Sequence, residues 1–247
     1  LPDVVFGCDI TADNSTVYAS YFSQMDAYSE GYAGIGVWRA AFKPFVDRIA
    51  DNDVRLQWFC CDRSTGVDTE DKDGKPIRVT LLRDTKTPAS VEYQAVKFIG
   101  TGRENIQAGT FSGWELGDYI YMRSEEAYLI KIEALAHKNS PDAVTELENF
   151  MKTRQPDYDY TFTNKADLIE EIIYQKRVEF WGEGLEYIDN RRLNIPVDRT
   201  DETWGAENNN HFSAAKFRYN QEERPFLYQL PISEIENNSQ ISPSDQN

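Results

Sequence analysis

The chain has 247 residues, room for one large domain or two small ones, and its 40% apolar content with 13 Phe, 14 Tyr and 5 Trp supplies material for a core. Acids outnumber bases, 42 Asp and Glu against 26 Lys and Arg, so the formal net charge is −16; no basic patch interrupts that surface, and nucleic acid is not expected as a partner. No apolar run approaches the roughly 20 residues of a membrane span, Leu1-Pro2-Asp3 opens without a signal-peptide pattern, and Cys8, Cys60 and Cys61 make no disulfide framework.

In chain order, Val4-Val5-Phe6-Gly7 reads as a short strand, and Cys8 as a buried strand or loop cysteine rather than a lipobox cysteine, since no leader precedes it. Gly31, Gly34 and Gly36 punctuate a loop from Ser29 to Trp38. Phe42, Phe45, Val46 and Ile49 stand at helical spacing, which predicts a helix over 39–49 broken by Asp51-Asn52-Asp53. Leu56–Cys60 and Ile77–Leu81 are predicted as the arms of a β-hairpin around Asp71-Lys72-Asp73-Gly74, where Asp-Gly favours a type I′ turn. The acids there imitate a calcium loop, but Thr69 and Thr80 would fill its first and closing positions, so the stretch reads as a solvated tip. Residues 86–118 show no sustained period and read as loop with short strands.

From Tyr119 the pattern turns helical. Tyr121, Tyr128, Ile132 and Leu135 form one stripe and Ala127 and Ala134 a second, the pattern of a helix sandwiched between others. Ser140-Pro141 supplies a cap and first-turn proline for a helix carrying Val144, Leu147 and Met151, which Gln155-Pro156 stops. A third helix starts near Asn164–Asp167 and carries Leu168 and Ile172; a fourth follows Gly184. Two such helix–turn–helix units are spaced as in tetratricopeptide-like packing. Asn194–Glu223 reads as a long irregular loop containing Trp204-Gly205, and Phe226–Ile232 as an extended segment.

Nothing in the chain assembles a nucleophile with a base. Ser112 in Gly109-Thr-Phe-Ser112-Gly113 lacks the spacing of a nucleophile elbow, and Thr101-Gly102-Arg103 is no phosphate loop. His137 ends a helix and His211 lies in the Asn-rich loop, both in structural roles. Carboxylate pairs among 42 acids carry no information about glycoside hydrolysis, and no Cys-x-x-Cys or zinc spacing occurs. The expectation is therefore no catalytic residue, no cofactor and no metal, with a glycoside hydrolase as the alternative of another class. Binding suits the composition better: Tyr and Trp offer an apolar face and a polar tip, the match for a sugar ring. The candidates are Tyr32 and Trp38 in the glycine loop, Trp58, Trp114 beside Gly113, and Trp204, each weighed against packing in the core.

The densest charge lies in Tyr174-Gln-Lys-Arg177-Val-Glu179-Phe-Trp181-Gly-Glu183-Gly184-Leu-Glu-Tyr187-Ile-Asp189-Asn-Arg191-Arg192. Glu179 and Glu183 sit four apart, a like-charge pair that weakens a helix unless cations arrive from elsewhere. Arg123, Glu126, Arg177, Glu179, Glu183, Asp189 and Arg191 are expected to form a structural network of Arg–carboxylate forks. This stretch resembles the signature of the SusD/RagB family, the surface glycan-binding lipoproteins of Bacteroidetes, with Arg177, Glu179, Glu183, Gly184, Tyr187, Asp189, Arg191 and Arg192 in the matching places. Arg123-Ser-Glu-Glu126-Ala-Tyr-Leu129-Ile-Lys-Ile-Glu133-Ala134 resembles an earlier helix of that family, and Leu230-Pro231-Ile232-Ser-Glu234-Ile235-Glu-Asn237 its tail. Leu185-Glu186 departs from the family's frequent His-Arg.

The resemblance implies a mainly α, SusD-like fold of tetratricopeptide-like helix pairs with long loops and a small β-hairpin. It implies that residues 1–247 form the C-terminal domain, with a loop-rich ligand-side segment over 1–117, a repeat-like helical segment over 118–193 and a loop and extended tail over 194–247, the family's N-terminal half lying elsewhere. It further implies non-catalytic binding of oligosaccharide or polysaccharide, with peptides or glycopeptides as the other ligand class. Delivery would be to a SusC-like TonB-dependent transporter, at the outer surface of the outer membrane, through a lipid anchor outside these residues.

Overall fold

The computed structural model describes residues 3–11, 13–14, 20–26, 32–35, 39–60, 67–70, 76–79, 93–95, 97–98, 117–223 and 228–245. Two units divide the chain, Leu1–Glu179 and Phe180–Asn247. The first runs β1 (Val4–Cys8), α1 (Tyr21–Met25), α2 (Tyr32–Ile35), α3 (Lys43–Asp47), a 3-10 turn (Val54–Trp58), β2 (Phe59–Cys60), β3 (Val67–Glu70), β4 (Pro76–Val79), β5 (Gln94–Ala95) and β6 (Tyr119–Arg123), then α4 (Ser124–His137), α5 (Asp142–Lys152) and α6 (Lys165–Glu179). The second holds α7 (Leu185–Leu193), β7 (Val197–Asp198), α8 (Asp201–Trp204), β8 (Arg218–Tyr219) and α9 (Ile232–Asn237). The fold is mainly helical, with strands in short antiparallel pairs: β1 with β6, β2 with β5, β3 with β4, and β7 with β8.

The helical layer of the first unit is built by local chemistry and then by burial. The Ser140 hydroxyl accepts from the Asp142 N–H at 3.3 Å, and the Asn164 side-chain oxygen accepts from the N–H groups of Ala166 and Asp167 at 2.7 and 3.1 Å, satisfying first-turn donors of α5 and α6. Asn139 takes a left-handed φ of 56° at the end of α4, and the Ser140 N–H closes onto the Leu135 carbonyl at 3.0 Å. α5 buries one stripe, Ala143, Leu147, Phe150 and Met151. α4 packs on both α5 and α6, burying Leu129, Ile132 and Ala136, with each large aliphatic side chain contributing about 1.5–3 kcal/mol. α6 is buried almost all round: Leu168, Ile172, Ile173 and Val178, but also Glu171, Gln175, Lys176 and Glu179.

Several expectations change. Tyr119–Arg123 is a strand rather than the first turn of a helix, because its alternating aromatic and apolar residues pair with β1; a Cβ at Gly7 would stand 2.8 Å from the Tyr119 carbonyl oxygen, so only glycine allows that approach. Tyr121 therefore leaves the helical stripe and lies exposed, its ring 5.5 Å from that of Phe6. Ala127 and Ala134 are exposed as well, so α4 buries one side and α6 is the sandwiched helix. The β-hairpin pairs Val67–Glu70 with Pro76–Val79; Leu56–Trp58 is instead a 3-10 turn capped by Asp53, and Phe59–Cys60 pairs with Gln94–Ala95. The turn at Asp73-Gly74 lies outside the described residues. The helix expected over 39–49 contracts to α3, with Pro44 in its first turn, the place where a missing N–H costs nothing. Cys8 is exposed, not buried.

In the second unit, Asn194 closes α7 with φ 54°, and the Ile195 N–H meets the Asn190 carbonyl at 2.9 Å. The stretch Asn194–Glu223 is not an irregular loop. It folds back on itself through Val197↔Tyr219 and Asp198↔Arg218, with α8 between. After Pro231 the tail turns helical as α9 rather than staying extended through Ile232.

Gly184 precedes α7 with φ +85°, and a Cβ there would meet nothing within 4 Å. Space is no obstacle, so only backbone strain opposes a side chain. Gly184→Ala is expected to lower stability by about 1–2 kcal/mol, read as a lowered urea midpoint at unchanged slope. An unshifted midpoint would contradict the left-handed start of α7.

Candidate functional site

One residue gathers cations from four distant segments of the first unit, three of them on its carboxylate. Glu179, the last residue of α6, accepts from Arg154 Nε at 2.7 Å and Nη2 at 3.2 Å, from Arg123 Nη1 at 3.2 Å and from Arg55 Nη1 at 3.4 Å. Its backbone carbonyl accepts from Lys97 Nζ at 2.6 Å and Arg123 Nη2 at 3.0 Å, cations at the negative end of a helix. Arg55 is itself buried and held by Asp53, whose carboxylate takes its Nε at 3.0 Å and Nη2 at 2.7 Å. Burial alone would raise the Glu179 carboxyl, but the hydrogen bonds and charge of Arg154, with Arg55 and Arg123, outweigh it and hold the group at about 2 instead of 4.5.

The other residues expected in this network divide between the two units. Arg123 also lies 3.5 Å from Glu125 and 3.9 Å from Asp3, while Glu126 has no ion pair among the described residues; the strand Tyr119–Arg123 sets Arg123 before α4, beside Glu125 rather than on a shared helix face with Glu126. Asp189 pairs with Arg192 at 2.6 Å, and Arg191 donates to the Gln221 carbonyl. Arg177 sits in the last turn of α6, and the Glu183 N–H meets the Phe180 carbonyl at 2.9 Å. Sequence reasoning missed Arg55, Arg154 and Lys97, and only the cap Asp53, two residues before Arg55, hinted at a buried cation.

Of the aromatic candidates, Tyr32 is 43% exposed in α2, and Trp58 is half-buried beneath the Lys97 ammonium, 4.8 Å from its ring centroid. Trp38 and Trp114 lie outside the described residues. Trp204, in the second unit, is 38% exposed. Its indole Nε1 donates to the Asp198 carbonyl at 2.9 Å. The Asp198 carboxylate accepts from the hydroxyls of Thr200 and Thr203 and from Arg218 Nη1, each at 2.7 Å. Burial pushes the Asp198 carboxyl up, yet those hydroxyls, the Thr200 N–H and the Arg218 charge bring it down to about 2. Asp201 adds Lys216 at 2.7 Å and the Asn209 amide at 2.8 Å. The Asp198 backbone carbonyl, in a residue tied down by its own carboxylate, thus fixes one edge of the Trp204 ring and leaves part of it to solvent.

A cavity of about 190 Å³ opens beside α6 in the first unit. The Arg48 guanidinium lies over the Tyr174 ring at 4.0 Å and donates Nη2 to Glu171 Oε2 at 2.7 Å. Glu171 Oε1 accepts from the Tyr158 hydroxyl at 3.3 Å and from Gln175 Nε2 at 2.7 Å, and Gln175 Oε1 accepts from Arg55 Nη2 at 2.5 Å. Burial, then the charge of Glu171, pushes the Tyr158 phenol up, so it stays a neutral donor; burial pushes Tyr174 up as well, against the Arg48 charge. Gln155, Asp159 and Tyr160 complete the lining. Among the described residues no cluster of His, Cys, Asp or Glu could hold a metal ion.

A family model described as the SusD family matches residues 11–247. Solved structures share the fold. A SusD-like carbohydrate binding protein from Bacteroides vulgatus is 22% identical, with a TM-score of 0.64 over 97% of this chain and 48% of that one. A SusD superfamily protein from Bacteroides thetaiotaomicron is 18% identical, with a TM-score of 0.63 over 99% and 48%. Another from Parabacteroides distasonis is 14% identical, with a TM-score of 0.59 over 99% and 49%. The chain spans about half the length of these relatives. Comparison with curated proteins yields no match.

The Glu179 hub carries its own prediction. Glu179→Gln keeps the shape but leaves Arg55, Arg123 and Arg154 around a neutral amide, which is expected to cost about 3–5 kcal/mol near neutral pH. The folded-state pKa is depressed, so the stabilisation is complete above the ordinary value of 4.5 and is lost as pH falls through about 2. Denaturant unfolding of parent and variant across that window should show the gap closing as acid is added. A gap that stays constant would mean Glu179 is not held ionised by its arginines.

Proposed function

The chain belongs to the SusD family, and from that premise we propose that it is a non-catalytic binder of oligosaccharide or polysaccharide at the cell surface, passing its ligand to a SusC-like TonB-dependent transporter of the outer membrane. The single observation that carries the glycan reading is Trp204. Its N–H is spent on the Asp198 carbonyl, which fixes the ring while leaving it 38% exposed. A sugar ring presents an apolar C–H face bordered by hydroxyls, and a held indole meets that face without losing its own conformational freedom on binding. Thr200, Thr203, Asn209 and Asp201 gather polar groups around the same helix. Tyr32 is a further exposed ring, and Trp38 and Trp114 remain proposed contacts. No helix among the described residues is long and apolar enough to cross a membrane; attachment through lipid is part of the family reading alone.

Trp204→Ala is expected to weaken polysaccharide binding by about 1–3 kcal/mol, taking aromatic stacking on nucleobases as the scale. Trp204→Phe should recover much of the loss, since it keeps a ring face without the N–H anchor. Affinity electrophoresis in polysaccharide gels, with thermal melting to confirm folding, reads both variants. A folded Trp204→Ala protein that migrates like the parent on every glycan retarding the parent would sink the assignment.

A further inference from the structure

Beyond that surface site, we propose that the cavity beside α6 is a separate binding site for a single sugar ring carrying a free amine. Its volume of about 190 Å³ lies below the roughly 300 Å³ where pockets for drug-sized ligands begin, so one ring fits better than a chain of them. The chemistry of the lining narrows the occupant further.

An anion is disfavoured. Arg55 is buried and fully engaged, with Nε and Nη2 on Asp53, Nη2 also on Gln175, and Nη1 on Glu179. The Arg48 charge is answered by Glu171 at 2.7 Å. The acid left without a protein partner is Asp159, an exposed residue at the lining of the cavity whose carboxylate has no hydrogen bond or ion pair among the described residues, in a protein of net charge −16. An ammonium group is the complement of that carboxylate.

A simple amine would leave the rest of the lining unused. Donors and acceptors are both to spare: Arg48 has N–H groups beyond those given to Glu170 and Glu171, and the Gln155 amide and the Tyr160 hydroxyl make no hydrogen bond within the described residues. Glu171 accepts three hydrogen bonds where a carboxylate has about four lone-pair positions. Hydroxyl groups, each donor and acceptor at once, suit such a mixed lining. Tyr160 is 41% exposed, a ring face at the rim on which a sugar can stack. Tyr158, by contrast, is buried and locked to Glu171, part of the floor.

The test uses the whole chain and three probes, glucosamine, glucose and glucuronate, with ethanolamine as the amine lacking a ring, followed by calorimetry and NMR titration near neutral pH. Glucosamine should bind at least about tenfold more tightly than glucose, the scale of a hydrogen bond to a charged group, with glucuronate and ethanolamine weaker still. Asp159→Asn should erase the preference for glucosamine while leaving glucose unchanged, and Tyr160→Ala should weaken both sugars. Trp204→Ala should leave the preference for glucosamine over glucose untouched, which separates failure here from failure of the surface site. The proposal is overturned if no sugar binds, if glucose or ethanolamine matches glucosamine, if the preference survives Asp159→Asn, or if Trp204→Ala abolishes it.

Discussion

The carboxylate of Glu179 is the point on which the first unit depends. It terminates a helix buried on nearly every side, and a charge in that position is tolerable only when cations surround it. Three arginines do so, from the 3-10 turn, the end of β6 and the residue after Thr153, while Lys97 meets the backbone carbonyl of the same residue. Each is fixed in turn: Arg55 by Asp53, and Arg154 by the Phe150 ring, 3.7 Å from its guanidinium carbon. The Val54 N–H also reaches the Arg154 carbonyl at 3.0 Å, so backbone and side-chain bonds join the same segments. The network therefore specifies which loops may approach α6 as much as it stabilises their approach.

Family and helical class were legible because they are written in short-range patterns. Capping residues such as Ser140 and Asn164, and the charge-dense stretch around Glu179, act over a few positions and read directly. What failed depends on partners far along the chain. Tyr119–Arg123 satisfies a helical stripe on paper, yet β1 offers it a ladder more than a hundred residues away, and pairing overrides propensity. Leu56 and Trp58 alternate like a strand, but Asp53 gathers the Arg55 N–H and guanidinium and closes the chain into a turn. The charge network shows the same limit. Arg123 and Glu179 could be named from local density, whereas Lys97 lies in a stretch with no sustained period and Arg154 at the end of a helix read only by its apolar stripe. Trp204 was visible as a tryptophan beside a glycine; that its N–H would be anchored by a two-residue strand pairing was not.

An acidic protein has to spend its few cations carefully. In the first unit Arg48, Arg55, Arg123 and Arg154 stand against carboxylates that are mostly buried, where the pairing matters most. In the second, Arg218 and Lys216 hold Asp198 and Asp201 around Trp204. Many acids are left to face solvent, and the resulting field repels anionic ligands and favours cationic ones, while neutral ligands gain nothing from it.

The spread of partners along the chain has a kinetic meaning. Arg154 is 25 residues from Glu179, Arg123 is 56 away and Arg55 is 124 away. Closing a loop costs entropy that grows only slowly with its length, so reaching Arg55 costs about 1.4 kcal/mol more than reaching Arg154, far less than a fivefold longer span suggests. The hub therefore draws partners from across the N-terminal part of its unit at small entropic cost, while contacts of such high sequence separation slow folding relative to the local helix contacts alone.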